Sequence, residues 1–164
     1  MKRVVIVRHA KSVPYGYEDD FNRDLKERGK NDARLVSSEL KERRVTPDVM
    51  VSSPAKRAIK TARIFAGNLN FNKKNIQKAE DIYDGLTTSG FLEMIQGLPE
   101  NAKTVFFFGH NPGFLYFTSN LLEHFGGDMP TCSTVGIDFE VDSWKSVEAG
   151  TGKKAFQLVP GMFK

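Results

Sequence analysis

The chain alternates short runs of β-branched and aromatic residues with stretches whose apolar residues recur every three or four positions. The clearest runs cover residues 3–7 and 104–108, and weaker ones cover residues 48–51 and 76–79. A continuous apolar run of this length is typical of a strand buried on both faces of a sheet. Strands that alternate with helices predict an α/β fold, a three-layer α/β/α sandwich with a mostly parallel central sheet.

The first two predicted helices follow the first two strands. The first has Asp24 spaced as its N-cap, runs to about residue 43, and carries one apolar stripe: Leu25, Gly29, Ala33, Val36 and Leu40. Gly29 on that stripe permits close packing. Ser53 and Pro54 supply the N-cap and first-turn residues of the second helix.

The second half of the chain predicts two more helices and several short strands. A short helix carries apolar residues between positions 91 and 98. Another begins with Asn111 as its N-cap and ends at Gly126 and Gly127. Short strands, including antiparallel edge pieces, are predicted at residues 134–140, 146–148 and 154–158.

The composition restricts the classes of protein that fit this pattern. With 164 residues, of which 40% are hydrophobic, the chain is expected to form a single domain over residues 1–164. One cysteine, Cys132, excludes an intrachain disulfide and a zinc finger. The apolar run at residues 4–7 is too short for a signal peptide core, and no run is long enough to span a membrane. We therefore expect a cytoplasmic location and no membrane partner.

Charge is distributed unevenly along the chain. Residues 1–78 hold 19 Lys and Arg against 9 Asp and Glu, whereas residues 79–164 hold 5 against 11. A basic half indicates an anionic partner, either nucleic acid or a phosphorylated molecule. For Lys30, Arg34 and Lys41, however, a solvated helix face is the favoured interpretation, because nothing in the sequence makes them converge.

Two of the three histidines directly follow the two best predicted strands. His9 comes after the first, with Arg8 beside it, and His110 comes after the strand at residues 104–108. Ligands of open α/β sheets bind beyond the carboxyl ends of the strands, so we expect these two imidazoles to lie side by side. His124 is placed late on a helix and is interpreted as structural.

Arginines turn this pair of histidines into a predicted phosphate site. Arg57 lies near the start of the second helix, where its guanidinium reaches the same edge of the sheet as Arg8. Planar bidentate donors suit a tetrahedral dianion, and a helix N-terminus attracts anions as well. A metal site is the competing explanation of two histidines, but neighbouring arginines repel a cation. We expect no metal and no cofactor.

Three motifs, in this order, resemble the histidine phosphatase superfamily, which is also named for phosphoglycerate mutase. They are RHAKS at residues 8–12, SSPAKRA at 52–58 and GHNPG at 109–113. The chain is most similar to the SixA-type phosphohistidine phosphatases, and the resemblance covers nearly its whole length. It implies a phosphoglycerate mutase-like fold and a metal-independent hydrolase. It also implies His9 as the nucleophile that becomes phosphorylated, Arg8 and Arg57 as a phosphate clamp, and His110 as a second imidazole at the transferring phosphoryl group.

Five further residues are candidates in this site. Arg23 and Ser12 are placed to bind phosphate, although solvent exposure and a turn cap explain them equally well, and Asn111 is either a substrate ligand or the helix cap already described. Asp81 and Asp84 are the possible general acids; for Asp84 the favoured interpretation is a turn residue before Gly85.

The resulting hypothesis is a phosphatase that acts through phosphohistidine at His9. Its expected partner is a phosphorylated protein that carries phosphohistidine, because the short chain has no visible insertion to close over a metabolite. Two alternatives remain: a phosphatase of small phosphate esters, and a non-catalytic module that binds phosphorylated partners or nucleic acid. Aromatic residues lie mainly at predicted core positions, which disfavours nucleic acid. The sequence leaves the oligomeric state open.

Overall fold

Six strands form one sheet, and helices cover both of its faces. The computed structural model describes residues 1–16 and 19–164. The strands are β1 (Lys2–Arg8), β2 (Val49–Ser52), β3 (Gln77–Lys78), β4 (Thr104–Gly109), β5 (Thr134–Phe139) and β6 (Lys153–Leu158). The helices are α1 (Glu27–Glu42), α2 (Lys56–Asn68), α3 (Glu80–Asp84), α4 (Thr88–Gln96) and α5 (Gly113–Leu121).

The strand order is β3-β2-β4-β1-β5-β6. The first four strands in sequence run parallel to one another. β5 pairs antiparallel with β1, and β6 pairs antiparallel with β5 at the edge of the sheet. β1 and β4 lie at the centre, which explains why their interior residues are apolar without alternation. Val4 and Phe107, for example, are fully buried on one face, and Val5 and Phe106 are fully buried on the other.

The helices form two layers, as the α/β/α prediction requires. α1 and α2 pack on the face that holds Val5 and Val7, through residues such as Val36 and Phe65. α3, α4 and α5 pack on the opposite face, where Phe91 stacks on Phe117 with ring centroids 4.5 Å apart. Within the described residues, none of the helices has both the length and the apolarity needed to cross a membrane.

Three predicted helix caps are wrong, each because the side chain has another partner. α1 begins after Lys26, and the carboxylate of Asp24 accepts a hydrogen bond from the Leu25 backbone and pairs with Lys60. α2 begins after Ala55 rather than after Ser53. The Asn111 amide donates to the Met129 carbonyl oxygen instead of capping α5.

The region after α5 also differs from its prediction. The helix ends at Leu121, well before Gly126, because Leu122 turns extended and pairs with Gly152. No strand forms at residues 146–148; Trp144–Ser146 is a 3₁₀ turn. The buried Trp144 indole anchors this turn by donating to the Ala102 carbonyl oxygen.

Gly29 is where α1 meets the loop that follows β1. The loop is tied to the helix start, because the Lys26 backbone N–H donates to the Lys11 carbonyl oxygen at 3.0 Å. A Cβ built on Gly29 would clash with that same Lys11 backbone. The absence of a side chain therefore permits the close packing predicted from the sequence, and it fixes the position of residues 9–12 over the sheet edge.

We predict that Gly29→Ala destabilises the protein by about 1–3 kcal/mol, because either α1 or the Lys11 backbone must move. Gly67→Ala is the matched control, since this α2 glycine is exposed and its added methyl meets only the flexible Lys73 side chain. That substitution should stabilise by about 0.5–1 kcal/mol through helix propensity. Urea unfolding of both variants measures the two free energies. Equal effects would contradict the close packing of Gly29.

Candidate active site

A cleft of about 330 Å³ lies at the carboxyl ends of the central strands. β1 ends at Arg8 and β4 ends at Gly109, and these two residues are paired in the parallel register. His9 and His110, the next residues along the chain, therefore enter the cleft side by side, as predicted. The side chains around it are mostly cationic or polar: Arg8, His9, Lys11, Ser12, Pro14, Arg23, Lys26, Arg57, His110, Asn111 and Thr131.

The two imidazoles lie close together, with ring centroids 5.3 Å apart and planes tilted by 55°. His9 Nδ1 is 2.8 Å from the carbonyl oxygen of Ala10. Since a carbonyl oxygen only accepts, Nδ1 carries the proton, and the lone pair of the neutral ring is on Nε2. His9 thus has the tautomer in which Nε2 is the nucleophilic atom.

Both histidines are held in the neutral form. Burial lowers the pKa of His9 to about 4; the hydrogen bond to Ala10 opposes this shift, and Arg57 and Arg8 add to it. Burial also lowers the pKa of His110 to about 3, with contributions from His9 and Arg57. At neutral pH two uncharged rings therefore lie among guanidinium groups.

His110 is oriented by the end of β2. Its Nε2 is 2.7 Å from the Ser53 hydroxyl oxygen, and that oxygen accepts a hydrogen bond from the Ala55 backbone N–H. Its Nδ1 is buried and has no hydrogen-bond partner among the described residues. The hydroxyl of Ser53 thus positions the second imidazole, a function that its interpretation as a helix cap did not include.

Arg57 and Arg8 reach the cleft from different elements. Arg57 is the second residue of α2 and is almost fully buried, and its Nη1 and Nη2 donate to the backbone and carboxylate of Asp20 at 2.7 and 3.1 Å. Arg8, at the end of β1, donates from Nη1 to the Met129 carbonyl oxygen at 2.9 Å. The structure therefore brings both predicted clamp arginines to the cleft.

Asp20 is a site residue that the sequence analysis missed. Its carboxylate accepts hydrogen bonds from Arg57, from Arg23 and from the Tyr83 hydroxyl, the last at 2.9 Å. Burial opposes its ionisation, but these hydrogen bonds outweigh burial and hold the pKa of Asp20 below its usual range. No local pattern points to Asp20, since Arg57 and Tyr83 are 37 and 63 residues away in sequence.

Asp81 and Asp84, the predicted possible acids, are both on α3, are exposed and do not line the cleft. Tyr83 between them is the α3 residue that faces the site. Its ring packs edge-on against His110 with centroids 5.8 Å apart, while its hydroxyl contacts Asp20. The helical spacing of α3 turns the two carboxylates away from the side that Tyr83 occupies.

The three predicted substrate ligands all line the cleft. Arg23 reaches it from the loop before α1, with Nη1 at 3.1 Å from the Val13 carbonyl oxygen and 3.5 Å from the Ser12 hydroxyl. Asn111 is held by its bond to Met129, which leaves its side-chain oxygen buried and without a hydrogen-bond partner in the described residues. His124 is exposed and lies beyond the end of α5.

These residues can bind a tetrahedral oxyanion and present a neutral imidazole to it. A model of the histidine phosphatase superfamily (branch 1) matches residues 4–101, more than half of the chain. The chain belongs to the histidine phosphatase superfamily. This result confirms the resemblance that the three sequence motifs indicated.

Two curated relatives match part of this chain. Phosphoserine phosphatase 1 of Hydrogenobacter thermophilus is 36% identical over 108 residues, which cover 63% of this chain and 50% of that protein. The mitochondrial serine/threonine-protein phosphatase Pgam5 of Drosophila grimshawi is 26% identical over 84 residues, 51% of this chain and 29% of that protein. The chain thus spans half or less of the length of these relatives.

Solved structures match the whole fold. A SixA-type structure from Agrobacterium tumefaciens superposes with a TM-score of 0.82 and 23% identity, over 98% of this chain and 99% of that one. The protein histidine phosphatase SixA complexed with tungstate gives 0.79 and 21%, over 99% of both chains. At these identities the likeness concerns the fold, and it confirms the phosphoglycerate mutase-like sandwich.

We predict that His9 makes the stability of this protein fall on acidification. Its pKa in the folded state, about 4, is below the value of 6.5 for a free side chain, so protonation favours the unfolded chain. The contribution is complete above about pH 6.5 and is lost as the pH falls to about 4. The shift corresponds to about 3 kcal/mol.

Urea unfolding of the wild type and of His9→Asn between pH 7 and 4 tests this prediction. The Asn side chain keeps a donor near the Ala10 carbonyl oxygen and has no group that titrates in this range. Stability of the variant should therefore depend less on pH. Parallel curves for the two proteins would show that His9 is not held neutral by the fold.

Proposed function

We propose that residues 1–164 act as one phosphatase domain that transfers a phosphoryl group to His9 and then to water. The observation that carries this proposal is the His9 tautomer: Nδ1 donates to Ala10, so the Nε2 lone pair is free to attack phosphorus. Arg8, Arg23 and Arg57 line the same cleft and match the negative charge of a phosphoryl group. The mechanism uses no metal and no cofactor.

The first step exchanges one bond to phosphorus for another. Nε2 of His9 bonds to phosphorus while the bond from phosphorus to the leaving group breaks, and the leaving group takes the electron pair. The imidazole of His9 then carries positive charge, which the Ala10 carbonyl oxygen stabilises through the bond from Nδ1–H. Neutral His110 lies beside His9, and when its Nε2 accepts from the Ser53 hydroxyl, its Nδ1–H is the group that donates to the transferring phosphoryl oxygens.

The second step returns the enzyme to its starting state. A water molecule attacks phosphorus, the bond to Nε2 breaks, and the electron pair goes back to the ring. Phosphate leaves with the water oxygen, and the excess proton passes to phosphate or to solvent. Positioning and neutralisation of charge supply most of the rate enhancement in phosphoryl transfer, and the cleft provides both.

The state of Asp20 favours a phosphohistidine substrate. An ester needs a proton for its alkoxide leaving group, and Asp20, the carboxylate bound to Arg57, has a lowered pKa and is a poor donor. A phosphohistidine imidazole whose other nitrogen is protonated leaves as a neutral ring without further help. We therefore propose phosphohistidine on a protein as the substrate, which the fold likeness to the protein histidine phosphatase SixA also supports.

A phosphatase of small phosphate esters is the second candidate. It is favoured by the 36% identity to phosphoserine phosphatase 1 over 108 residues. In that case the candidate proton donor for the leaving oxygen is the Tyr83 hydroxyl, since it contacts Asp20 and its ring packs against His110. Burial and the bond to Asp20 raise the pKa of Tyr83, which makes it a weak acid.

Hydrolysis of a panel of substrates separates these two functions. We expect phosphate release from a phosphohistidine peptide to exceed that from phosphoserine, sugar phosphates and an aryl phosphate in kcat/KM, without loss in EDTA. Rapid quenching should trap an acid-labile, base-stable adduct on His9. A preference for phosphoserine or a sugar phosphate would support the second candidate, and an adduct mapped to residues 105–120 would contradict the role of His9.

We predict that Arg57→Lys lowers kcat more than it raises KM. Lysine keeps the charge but loses the planar fork, and the transition state carries more charge on its equatorial oxygens than the ground state does. Loss of one preorganised donor typically costs on the order of 10²–10³ in kcat. The measurement is steady-state kinetics, with circular dichroism to verify folding.

Arg43→Lys is the control for this substitution. Arg43 is exposed at the far end of α1, whereas the residue before that helix, Lys26, lines the cleft. The control should keep the wild-type kcat and KM. If Arg57→Lys behaves in the same way, Arg57 does not bind the phosphoryl group.

A further inference from the structure

Basic side chains form two rows along the outer surfaces of α1 and α2. Within each row the spacing is three or four residues, so the side chains lie on one face of their helix. The row on α1 starts at the residue before its first turn. The rows are Lys26, Lys30 and Arg34, and Lys56, Lys60 and Arg63.

The two rows flank a groove of about 230 Å³. Leu25 and Ile64 contribute its apolar part, and the basic lining consists of Lys30, Arg34, Lys60 and Arg63. The helices are held together at this surface, since the Asn68 amide on α2 donates to the Ser37 hydroxyl on α1 at 2.7 Å. Lys30 and Arg34 lie on a solvent-accessible face of α1, as interpreted from the sequence, but helix packing also brings them beside Lys60 and Arg63 of α2, which the sequence did not show.

The groove adjoins the phosphate cleft. Lys26 and Lys11 line the cleft, and their backbones are joined by the hydrogen bond from Lys26 N–H to the Lys11 carbonyl oxygen. Leu25, the next residue back, pairs with Ser12 of the cleft in a β-bridge and also lines the groove. The groove and the cleft therefore meet at Leu25 and Lys26, which are neighbours in sequence.

The charges of the groove are only partly compensated. Asp24 pairs with Lys60 and Lys56 at 2.8 and 3.5 Å, and Glu27 pairs with Lys30 at 3.1 Å. Arg34 and Arg63 have no carboxylate within ion-pair distance in the part of the chain that the structure describes. Exposed pairs of this kind are weak and exchange readily with external carboxylates. A net positive groove beside a phosphate site favours an anionic partner.

We propose that the groove between α1 and α2 docks an acidic segment of the phosphorylated protein substrate. The proposal rests on the proposed phosphatase function and specifies its substrate: a protein with Asp or Glu residues close to its phosphohistidine. The segment's apolar side chains contact Leu25 and Ile64, while its carboxylates pair with Arg34 and Arg63. Complementary charge of this kind speeds association and selects partners.

A protein segment fits the groove better than nucleic acid does. Among the residues that the structure describes, the groove is lined by aliphatic and basic side chains and by no aromatic one, so they offer no surface for base stacking. Asp24 and Glu27 lie among the lysines and repel a regular row of phosphates. An acidic peptide, in contrast, spaces its carboxylates irregularly and can avoid them.

Binding of unphosphorylated peptides tests the groove independently of catalysis. The probes are a fluorescent acidic peptide and a matched peptide in which every Asp and Glu is replaced by Asn and Gln. We expect the acidic peptide to bind the wild type roughly tenfold more tightly at low ionic strength. The difference should vanish at about 1 M salt, where the Debye length is about 3 Å. Equal dissociation constants at low ionic strength would overturn the proposal.

Two double variants localise the binding. Arg34→Gln with Arg63→Gln should weaken acidic-peptide binding roughly fivefold. Lys153→Gln with Lys154→Gln removes the same charge from β6, the strand at the sheet edge opposite β3, and should retain binding. Equal loss in both variants means a general charge effect and overturns the docking site. So does an oligonucleotide that binds the groove more tightly than the acidic peptide under the same conditions.

Kinetics with phosphohistidine in the same two peptides then separates this proposal from the proposed function. The variant with Arg34→Gln and Arg63→Gln should raise KM for the acidic phosphopeptide roughly fivefold, most of the way to the value for the neutral one, with kcat retained. Failure to hydrolyse either phosphopeptide overturns the phosphohistidine function. In that case the binding of the unphosphorylated peptides still tests whether the groove docks an acidic segment. Equal KM values of the wild type for both phosphopeptides overturn the groove and leave the phosphatase.

Discussion

The parallel pairing of β1 with β4 is the constraint on which the site depends. Their register pairs Arg8 with Gly109, so the next residue on each strand delivers an imidazole to the same edge of the sheet. Both strands are buried on two faces, which restricts their interiors to apolar residues and places functional side chains just beyond their ends. A shift of one residue in this register would turn the strands' side chains to the wrong faces and separate the two rings. The core thus enforces the geometry of the cleft.

Electrostatics in the cleft follows from burial more than from pairing. Desolvation is the largest cause of the lowered pKa of both histidines, and the arginines act in the same direction. Arg57 is itself buried, and the Asp20 carboxylate compensates its charge. In the proposed reaction, a phosphoryl group that binds Arg57 shares or replaces these contacts of Asp20. The carboxylate thus orients the guanidinium and also competes with the proposed substrate for it.

The sequence was sufficient to predict the layers, the central strands and the side chains that follow them, because these features depend on local periodicity and on strand ends. It failed where partners are distant in sequence. Asp20 meets Arg57 and Tyr83 across 37 and 63 residues, and no spacing rule encodes such a contact. The same reason explains the helix caps: Asp24 fits a cap pattern, yet Lys60 competes for its carboxylate. Which partner a polar side chain binds depends on contacts that form only in the folded chain.

Selectivity requires contacts outside the cleft. The side chains that surround His9 are mostly cationic or hydrogen-bonding, and they recognise a phosphoryl group, which every phosphorylated molecule carries. Because α1 and α2 both begin at this edge of the sheet and pack against each other, their exposed rows extend phosphate recognition away from the cleft. The charge proposed to attract the substrate thereby lies on exposed helix faces, away from Arg57, which α2 contributes to the cleft itself. Partner choice and phosphoryl transfer can then change independently, since substitutions at Arg34 or Arg63 leave the pairing of β1 with β4 intact.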